Sequence, residues 1–231
     1  MESSLKRLRL HKYVTVDKSQ KCFVVGDIHG NWEALQESLT EINFNAKQDI
    51  LVSVGDIIDR HEDSLKVALW MLNQPNIHVA CGNHEKYFLD YLQFPETGYY
   101  YKSARTGGWW VDQHAPKDLQ DLASNMQNQL ALSITVEYAK KRIGILHAAS
   151  PDDWYVVENE LLGNEDWMDY LDNRAQYRQS KLSDIHPISS IDAVIHGHVC
   201  APYHSGGNQH WIDTLHATGK LTVLELSNLF K

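Results

Sequence analysis

Apolar positions in the first third of the chain fall into three short, largely β-branched runs: Cys22-Phe-Val-Val, Asp49-Ile-Leu-Val-Ser-Val and Asn76-Ile-His-Val-Ala. Runs that are apolar at successive positions predict strands buried on both faces of a parallel sheet. Between them the period changes to that of a helix. Trp32, Leu35, Leu39 and Ile42 share one face of the first intervening segment, and Leu65, Leu69 and Leu72 share one face of the second. The runs recur about every 30 residues, the length of a strand-helix-strand unit. Right-handed crossovers then set the three strands side by side and bring the loops that leave them to one carboxyl edge.

Each run ends in a polar cluster: Gly26-Asp27-Ile28-His29-Gly30, Gly55-Asp56-Ile57-Ile58-Asp59-Arg60, and Gly82-Asn83-His84-Glu85. Asp27 and His29, spaced i, i+2, point the same way on an extended chain and can share one cation. Asp56 adds a carboxylate able to bridge two cations, Asp59 one able to orient a histidine, and Arg60 a guanidinium suited to a pair of phosphate oxygens. Asn83 offers a neutral amide oxygen, and His84 a proton donor near neutral pH. Singly, the first cluster is more often a turn with a satisfied histidine than a metal site, and the second reads as a helix-capping Asp with a surface salt bridge. Their recurrence at strand ends is what gives them weight. His147 and His198 add to it, since each also comes after an apolar run, Arg142-Ile-Gly-Ile-Leu and Ala193-Val-Ile.

Composition narrows the classes. At 231 residues, 43% hydrophobic and 22% charged, the sequence predicts one globular domain, residues 1–231, with an ample core. A formal net charge of −9 argues against nucleic acid as an electrostatic partner. Cys22, Cys81 and Cys200 have no paired spacing, so neither a disulfide framework nor a zinc knuckle is expected. A reducing, cytoplasmic setting is expected. Met1 to Lys12 interleaves basic residues with leucines but has no continuous apolar core, and no apolar run is long enough to span a bilayer. No signal peptide and no membrane association are expected. Lys6 to Lys12 predicts an alternating edge strand or a loosely held terminus. Phe94 to Val111 is rich in aromatic residues and predicts a small helical cap packed on the sheet. Pro151 to Gly163 predicts an irregular acidic loop, and Asp166 to Arg178 a helix carrying Arg174 inward.

The clusters GDxHG, GDxxDR and GNHE, in that order, resemble the phosphoprotein phosphatase branch of the calcineurin-like metallophosphoesterases, and most of all the bacterial and bacteriophage serine/threonine phosphatases of the lambda type. The resemblance extends over nearly the whole chain, through Gly107-Gly-Trp-Trp110, His147, Asn173-Arg174, Gly197-His198 and Trp211-Ile-Asp213-Thr. It implies an α/β fold, a sandwich of two mixed sheets flanked by helices. It also implies two divalent metal ions, manganese by preference with iron or zinc as alternatives. Asp27 and His29 match the ligands of the first metal, Asp56 the bridging carboxylate, and Asn83, His147 and His198 the ligands of the second. His84 matches the general acid, Asp59 its orienting partner, and Arg60 and Arg174 phosphate-binding arginines. The implied reaction is hydrolysis of a phosphorylated protein or peptide by in-line attack of a hydroxide held by the two metals. A dinucleoside polyphosphate hydrolase on the same cradle is the alternative, and a non-catalytic binding module a remote one.

Two departures from the family pattern stand out. Cys81 occupies a position where relatives usually have arginine, and Arg105 or Arg178 is available to supply the missing charge. A thiol beside two cations would have a depressed pKa, although packing of a small residue at a strand end is the simpler use. Ala149 stands where relatives usually have aspartate. His196 shares the extended segment with His198, and the family's Gly-His pattern selects His198. His11, His61, His78, His114, His186, His204, His210 and His216 have no place in the pattern and are expected to be structural or exposed.

Overall fold

The computed structural model describes residues 8–163, 166–182 and 185–230. Strands β1 (Arg9–Thr15), β2 (Cys22–Val25), β3 (Ile50–Ser53), β4 (Ile77–Val79), β5 (Ala131–Tyr138), β6 (Lys141–Leu146), β7 (Ala193–His196), β8 (His204–Gly206), β9 (Gln209–Trp211) and β10 (Val223–Glu225) form two mixed sheets. One has the order β10-β2-β3-β4 and the other β1-β5-β6-β7-β9-β8. The expected parallel unit is present: β2 pairs with β3 and β3 with β4, placing Cys22 opposite Ile50 and Leu51 opposite Ile77. β6 and β7 are parallel neighbours in the second sheet.

Alternation along these strands explains why both sheet faces are dry. Cys22, Val24, Ile50 and Val52 point into a layer shared with Ile134, Val136, Ile143 and Ile195 of the opposing sheet. Phe23, Val25 and Leu51 point the other way and pack under helices. Those helices are α1 (Trp32–Glu41), α2 (Ser64–Leu72), α3 (Asn83–Gln93), α4 (Gly98–Tyr101) and α5 (Pro116–Gln129); α6 (Trp154–Glu158), α7 (Asp166–Asp172), α8 (Ala175–Leu182) and α9 (Leu215–Thr218) come after them. Local chemistry sets their starts. The Asn31 side chain accepts from Ala34 N at 3.0 Å to cap α1, and Pro116 opens α5, where a missing N–H costs nothing.

Three expectations change. The inward face of α2 is Val67, Ala68, Met71 and Leu72, and Leu69 is 40% exposed. The segment from Leu65 to Leu72 is apolar almost all round, so periodicity did not select the buried face. The helix expected over Asp166 to Arg178 is broken into α7 and α8 at Asn173-Arg174, where Asn173 Oδ1 accepts from Ala175 N at 2.7 Å and restarts the chain as a new helix. Pro151 to Gly163 contains α6, capped by Asp153 on Tyr155 N, and its Trp154 is fully buried with Nε1 donating to Thr135 Oγ1 at 2.8 Å.

β1 forms the edge of the larger sheet and pairs in parallel with β5, as an edge-strand reading of the basic segment requires. Residues 1–7, with Lys6, Arg7 and most of the stretch read for a signal peptide, lie outside the described residues. Among the described residues no helix is long and apolar enough to cross a membrane.

The face of α2 can be tested directly. Met71, fully buried, should cost about 2–4 kcal/mol when replaced by alanine, and Leu69→Ala less than about 1 kcal/mol. Urea midpoints of the two variants check the order.

Candidate active site

The carboxyl ends of β2, β3, β4, β6 and β7 converge, and the loops that leave them are held in left-handed backbone. His29 (φ 47°), Asp56 (φ 51°), Asp59 (φ 73°), Arg60 (φ 68°) and His198 (φ 65°) all have positive φ. Such conformations cost a residue with a side chain roughly 1–3 kcal/mol each, and persist only where surrounding contacts impose them. Those contacts are present. Ile28 N and His29 N both donate to Asp56 O, at 3.1 and 2.9 Å, tying the first loop to the second. Gly197 N donates to His147 O at 2.8 Å, tying the fourth to the fifth.

Glu85 locks the second loop to the third. Its Oε2 accepts from Asp56 N and Gly82 N, both at 2.8 Å, and its Oε1 from Ile57 N at 2.9 Å. The carboxyl is wholly buried. Burial and the neighbouring Asp56 charge push its pKa up to about 7, against the pull of the three N–H groups. There is no slack here: a Cβ on Gly82 would lie 2.1 Å from Asp56 Oδ1.

Asp56 stands at the centre. Its Oδ1 accepts from His84 N at 3.0 Å, and its Oδ2 lies 3.3 Å from His147 Nε2 and 3.8 Å from both His29 Nε2 and His84 Nε2. Burial alone would raise its carboxyl, but His147, His84 and His29 together hold it well below the ordinary value. His147 shows the reciprocal effect: burial opposes its charge, yet Asp56 and Asp27 lift it to about 10. Asn83 Oδ1 sits between His147 Nε2 at 3.0 Å and His198 Nδ1 at 2.9 Å. The outer ring nitrogens are anchored, His147 Nδ1 on Val54 O at 2.8 Å and His29 Nδ1 on Ile58 O at 3.1 Å. Asp172 Oδ1 lies 3.2 Å from His198 Nε2.

His84 belongs to a chain of hydrogen bonds. Its Nδ1 meets Asp59 Oδ2 at 2.7 Å, and the other carboxylate oxygen of Asp59 accepts from Tyr101 OH at 2.6 Å and Trp110 Nε1 at 2.7 Å. Asp59 is wholly buried. On the opposite side of the ring, Arg60 Nη2 is 3.2 Å from His84 Nε2. Burial lowers the affinity of His84 for a proton, but Asp56 and Asp59 outweigh it, so its pKa is raised.

Metal ligands can be tested against this geometry. His29, Asp56 and His84 offer atoms within 4.8 Å of one another, and so do Asp56, His147 and His198. Two ligand groups therefore share Asp56. Asp27 lies outside both groups. Its Oδ2 accepts from His198 N at 3.0 Å while its Oδ1 is buried without a hydrogen-bond partner among the described residues. Asp213 Oδ1 is buried and unpartnered in the same way. Burial and the nearby Asp213 charge push Asp27 well above the ordinary carboxyl value, and burial with Asp56 lifts Asp213 to about 6. Orphaned, mutually repelling carboxylates beside His29 and His198, whose pKa values burial lowers, are a donor set that suits hard or borderline divalent cations.

Arg60 and Arg174 line a cleft of about 140 Å³ with Asn83, His84, Tyr87 and Thr106. All ten residues picked out in the sequence thus lie at or around one strand-end site. His196 does not join them: its ring stacks on Trp211 at 5.4 Å and its Nδ1 meets Leu146 O at 2.6 Å. His216, read as having no place in the pattern, brings its ring within 5.5 Å of His29. Cys81 takes the simpler of its two expected uses, packing at a strand end: it is fully buried in the helix-side core, its Sγ donates to Gly82 O at 3.3 Å, and burial raises its pKa rather than depressing it. Sequence reasoning gave no role to Glu85, Tyr101, Trp110, Asp172 or Asp213. Glu85, Trp110 and Asp213 were already inside quoted motifs; what Tyr101 and Asp172 touch depends on tertiary contacts that no local pattern encodes.

A two-sheet sandwich with a histidine and carboxylate site at its strand ends is the architecture of a metal-dependent phosphoesterase. The chain belongs to the calcineurin-like phosphoesterase family, whose model matches residues 21–202. Over 212 residues it is 34% identical to the serine/threonine-protein phosphatase 2 of Salmonella typhimurium, covering 90% of this chain and 94% of that protein. It is 29% identical over 146 residues to the symmetrical bis(5'-nucleosyl)-tetraphosphatase of Coxiella burnetii, covering 62% of this chain and 46% of that one. The fold also matches a crystal structure assigned as a putative diadenosine tetraphosphatase, with TM-score 0.60 and 15% identity over 93% of this chain and 97% of that chain.

Glu85→Gln tests the loop clamp. The amide would set an N–H against a backbone donor, and the variant should lose about 2–4 kcal/mol of stability, read as a lower midpoint in urea unfolding.

Proposed function

We propose that this chain is a serine/threonine protein phosphatase that hydrolyses phosphomonoesters of phosphorylated proteins or peptides. The observation that carries the reading is the Asp59–His84–Arg60 chain. It fixes an imidazole at 2.7 Å from a buried carboxylate and directs its other nitrogen to a guanidinium on the cleft, 3.2 Å away. The similarity to a protein phosphatase along nearly the full length of both chains supports it too.

Asp27, His29 and Asp56 would hold one divalent cation, and Asp56, Asn83, His147 and His198 a second, with manganese our preference. Such a pair supplies an acidified water for in-line attack on phosphorus and neutralises charge on the phosphoryl oxygens. The chain's own groups do the rest. Arg60 and Arg174 receive the phosphoryl oxygens through their guanidinium forks. As Arg60 turns to the substrate it frees His84 Nε2, which takes up and then delivers a proton to the departing serine or threonine oxygen. Asp59, itself saturated by Tyr101 and Trp110, keeps the ring in one orientation and offsets its charge. No phosphoenzyme is required. Cys22, Cys81 and Cys200 are free thiols, which supports a reducing, cytoplasmic setting.

The second reading, a dinucleoside polyphosphate hydrolase, draws on the partial similarity to the tetraphosphatase and on Tyr99 and Tyr100, which are 94% and 46% exposed and could stack a base.

Phosphate release from a phosphoserine peptide and nucleotide release from diadenosine tetraphosphate, each with manganese, separate the two. Faster turnover of the peptide is expected, with His84→Asn reducing it by about 10²–10⁴-fold at unchanged metal content. Preference for the dinucleotide overturns the proposal.

A further inference from the structure

The cleft contains more positive charge than Arg60 and Arg174 supply. Arg105 lines it as well, next to Thr106. Among the described residues no hydrogen bond or ion pair engages Arg105. The carboxylate lining this cleft, Asp172, is committed elsewhere: its Oδ1 lies 3.2 Å from His198 Nε2, and its Oδ2 accepts from Tyr87 OH at 3.1 Å. Thr106 provides the independent observation. It is 2% exposed and its Oγ1 is buried with no hydrogen-bond partner among the described residues. A buried hydroxyl left unpaired is costly, and this one borders a cleft in which a ligand oxygen would satisfy it.

The backbone holds this segment against the Arg60 loop. Arg60 N donates to Gly107 O at 2.9 Å, and Gly107 N donates to Ser103 O at 2.7 Å. Gly107 has a φ of +87°, and a Cβ there would lie 2.7 Å from Arg60 N and Cγ, so the two loops lie flush. The backbones that carry Arg60 and Arg105 are therefore held in a fixed relation beside the cleft. Arg178, the other arginine available to add charge, lines a neighbouring groove that shares Asp172 and Arg174 with the cleft but includes neither Arg60 nor His84.

We propose that Arg105 and the Thr106 hydroxyl bind oxygens of the phosphoryl group, making a three-arginine anion site with Arg60 and Arg174. This deepens the phosphoester reading and rests on it. The guanidinium fork takes a pair of phosphoryl oxygens, and the Thr106 O–H donates to one of them. Cys81, buried in the core, adds nothing to this charge, so Arg105 is the cation that brings the site to three.

The test uses manganese-loaded full chain with two probes: inorganic phosphate, titrated calorimetrically, and p-nitrophenyl phosphate, followed for kcat and KM. Arg105→Ala should weaken phosphate binding and lower kcat/KM by about 10²-fold. Arg105→Lys should recover only part of the loss, because charge without the fork is not equivalent. Thr106→Val, which keeps the shape, should also weaken phosphate binding, and Arg178→Ala should behave as wild type. Metal content and melting temperature of the exposed Arg105 variants should match wild type. Phosphate affinity unchanged in both Arg105→Ala and Thr106→Val overturns the inference, as does a loss in Arg178→Ala equal to that in Arg105→Ala. The phosphate titration reads this subsite whatever the wild-type enzyme does with a phosphopeptide, so failure of the phosphatase reading shows separately.

Discussion

The Glu85 carboxylate, buried and accepting from three backbone N–H groups, is the constraint on which the site depends. Its partners are Asp56 N, Ile57 N and Gly82 N. Through them the loop after β3 and the start of α3 become one rigid piece. Asp56 is thereby forced into left-handed backbone and its carboxylate is aimed at His147, while Asn83 and His84 are set on the first turn of a helix whose start cannot shift. A buried charge is expensive unless its hydrogen bonds are made. Here they are made to main-chain donors of two loops, and the cost of burial is turned into fixed geometry.

The charges around this clamp divide by function. Asp56 is stabilised as an anion by three histidines, whereas Asp27 and Asp213 are crowded together by burial and raised. His147, lifted to about 10 by Asp56 and Asp27, must give up its proton before it can act as a ligand, so cation loading competes with protons at this point. Asp59 works differently. Two neutral donors, Tyr101 OH and Trp110 Nε1, share one of its oxygens, so part of the aromatic segment holds the His84 ring. Tyr99, exposed at the surface, takes no part in this.

The parallel β2-β3-β4 unit and the strand-end clusters were legible in the sequence because period and spacing are local. Asp27, His29, Asp56, Asp59, Arg60, Asn83 and His84 lie where three successive strand ends must put them. Resemblance was needed to add His147, His198 and Arg174 in named roles. The buried face of α2 was misread because nearly every position is apolar, and the break at Asn173 was missed because an Asn side chain capping Ala175 is indistinguishable in sequence from a polar helical residue. Asp213 and Thr106 were silent for a different reason: their importance lies in an oxygen that lacks a partner, which is a property of packing. Cys81 shows the converse, a residue that looked chemical in sequence and is core in the fold.

The central claim is that Asp56 is the carboxylate common to both halves of a dinuclear site. Manganese content per chain, measured by atomic emission after loading and desalting wild type, Asp27→Asn and Asp56→Asn, tests it most directly. The account predicts about two ions in wild type, about one in Asp27→Asn, and neither retained in Asp56→Asn with the fold intact by circular dichroism. An Asp56→Asn protein that still carries the wild-type content would contradict it.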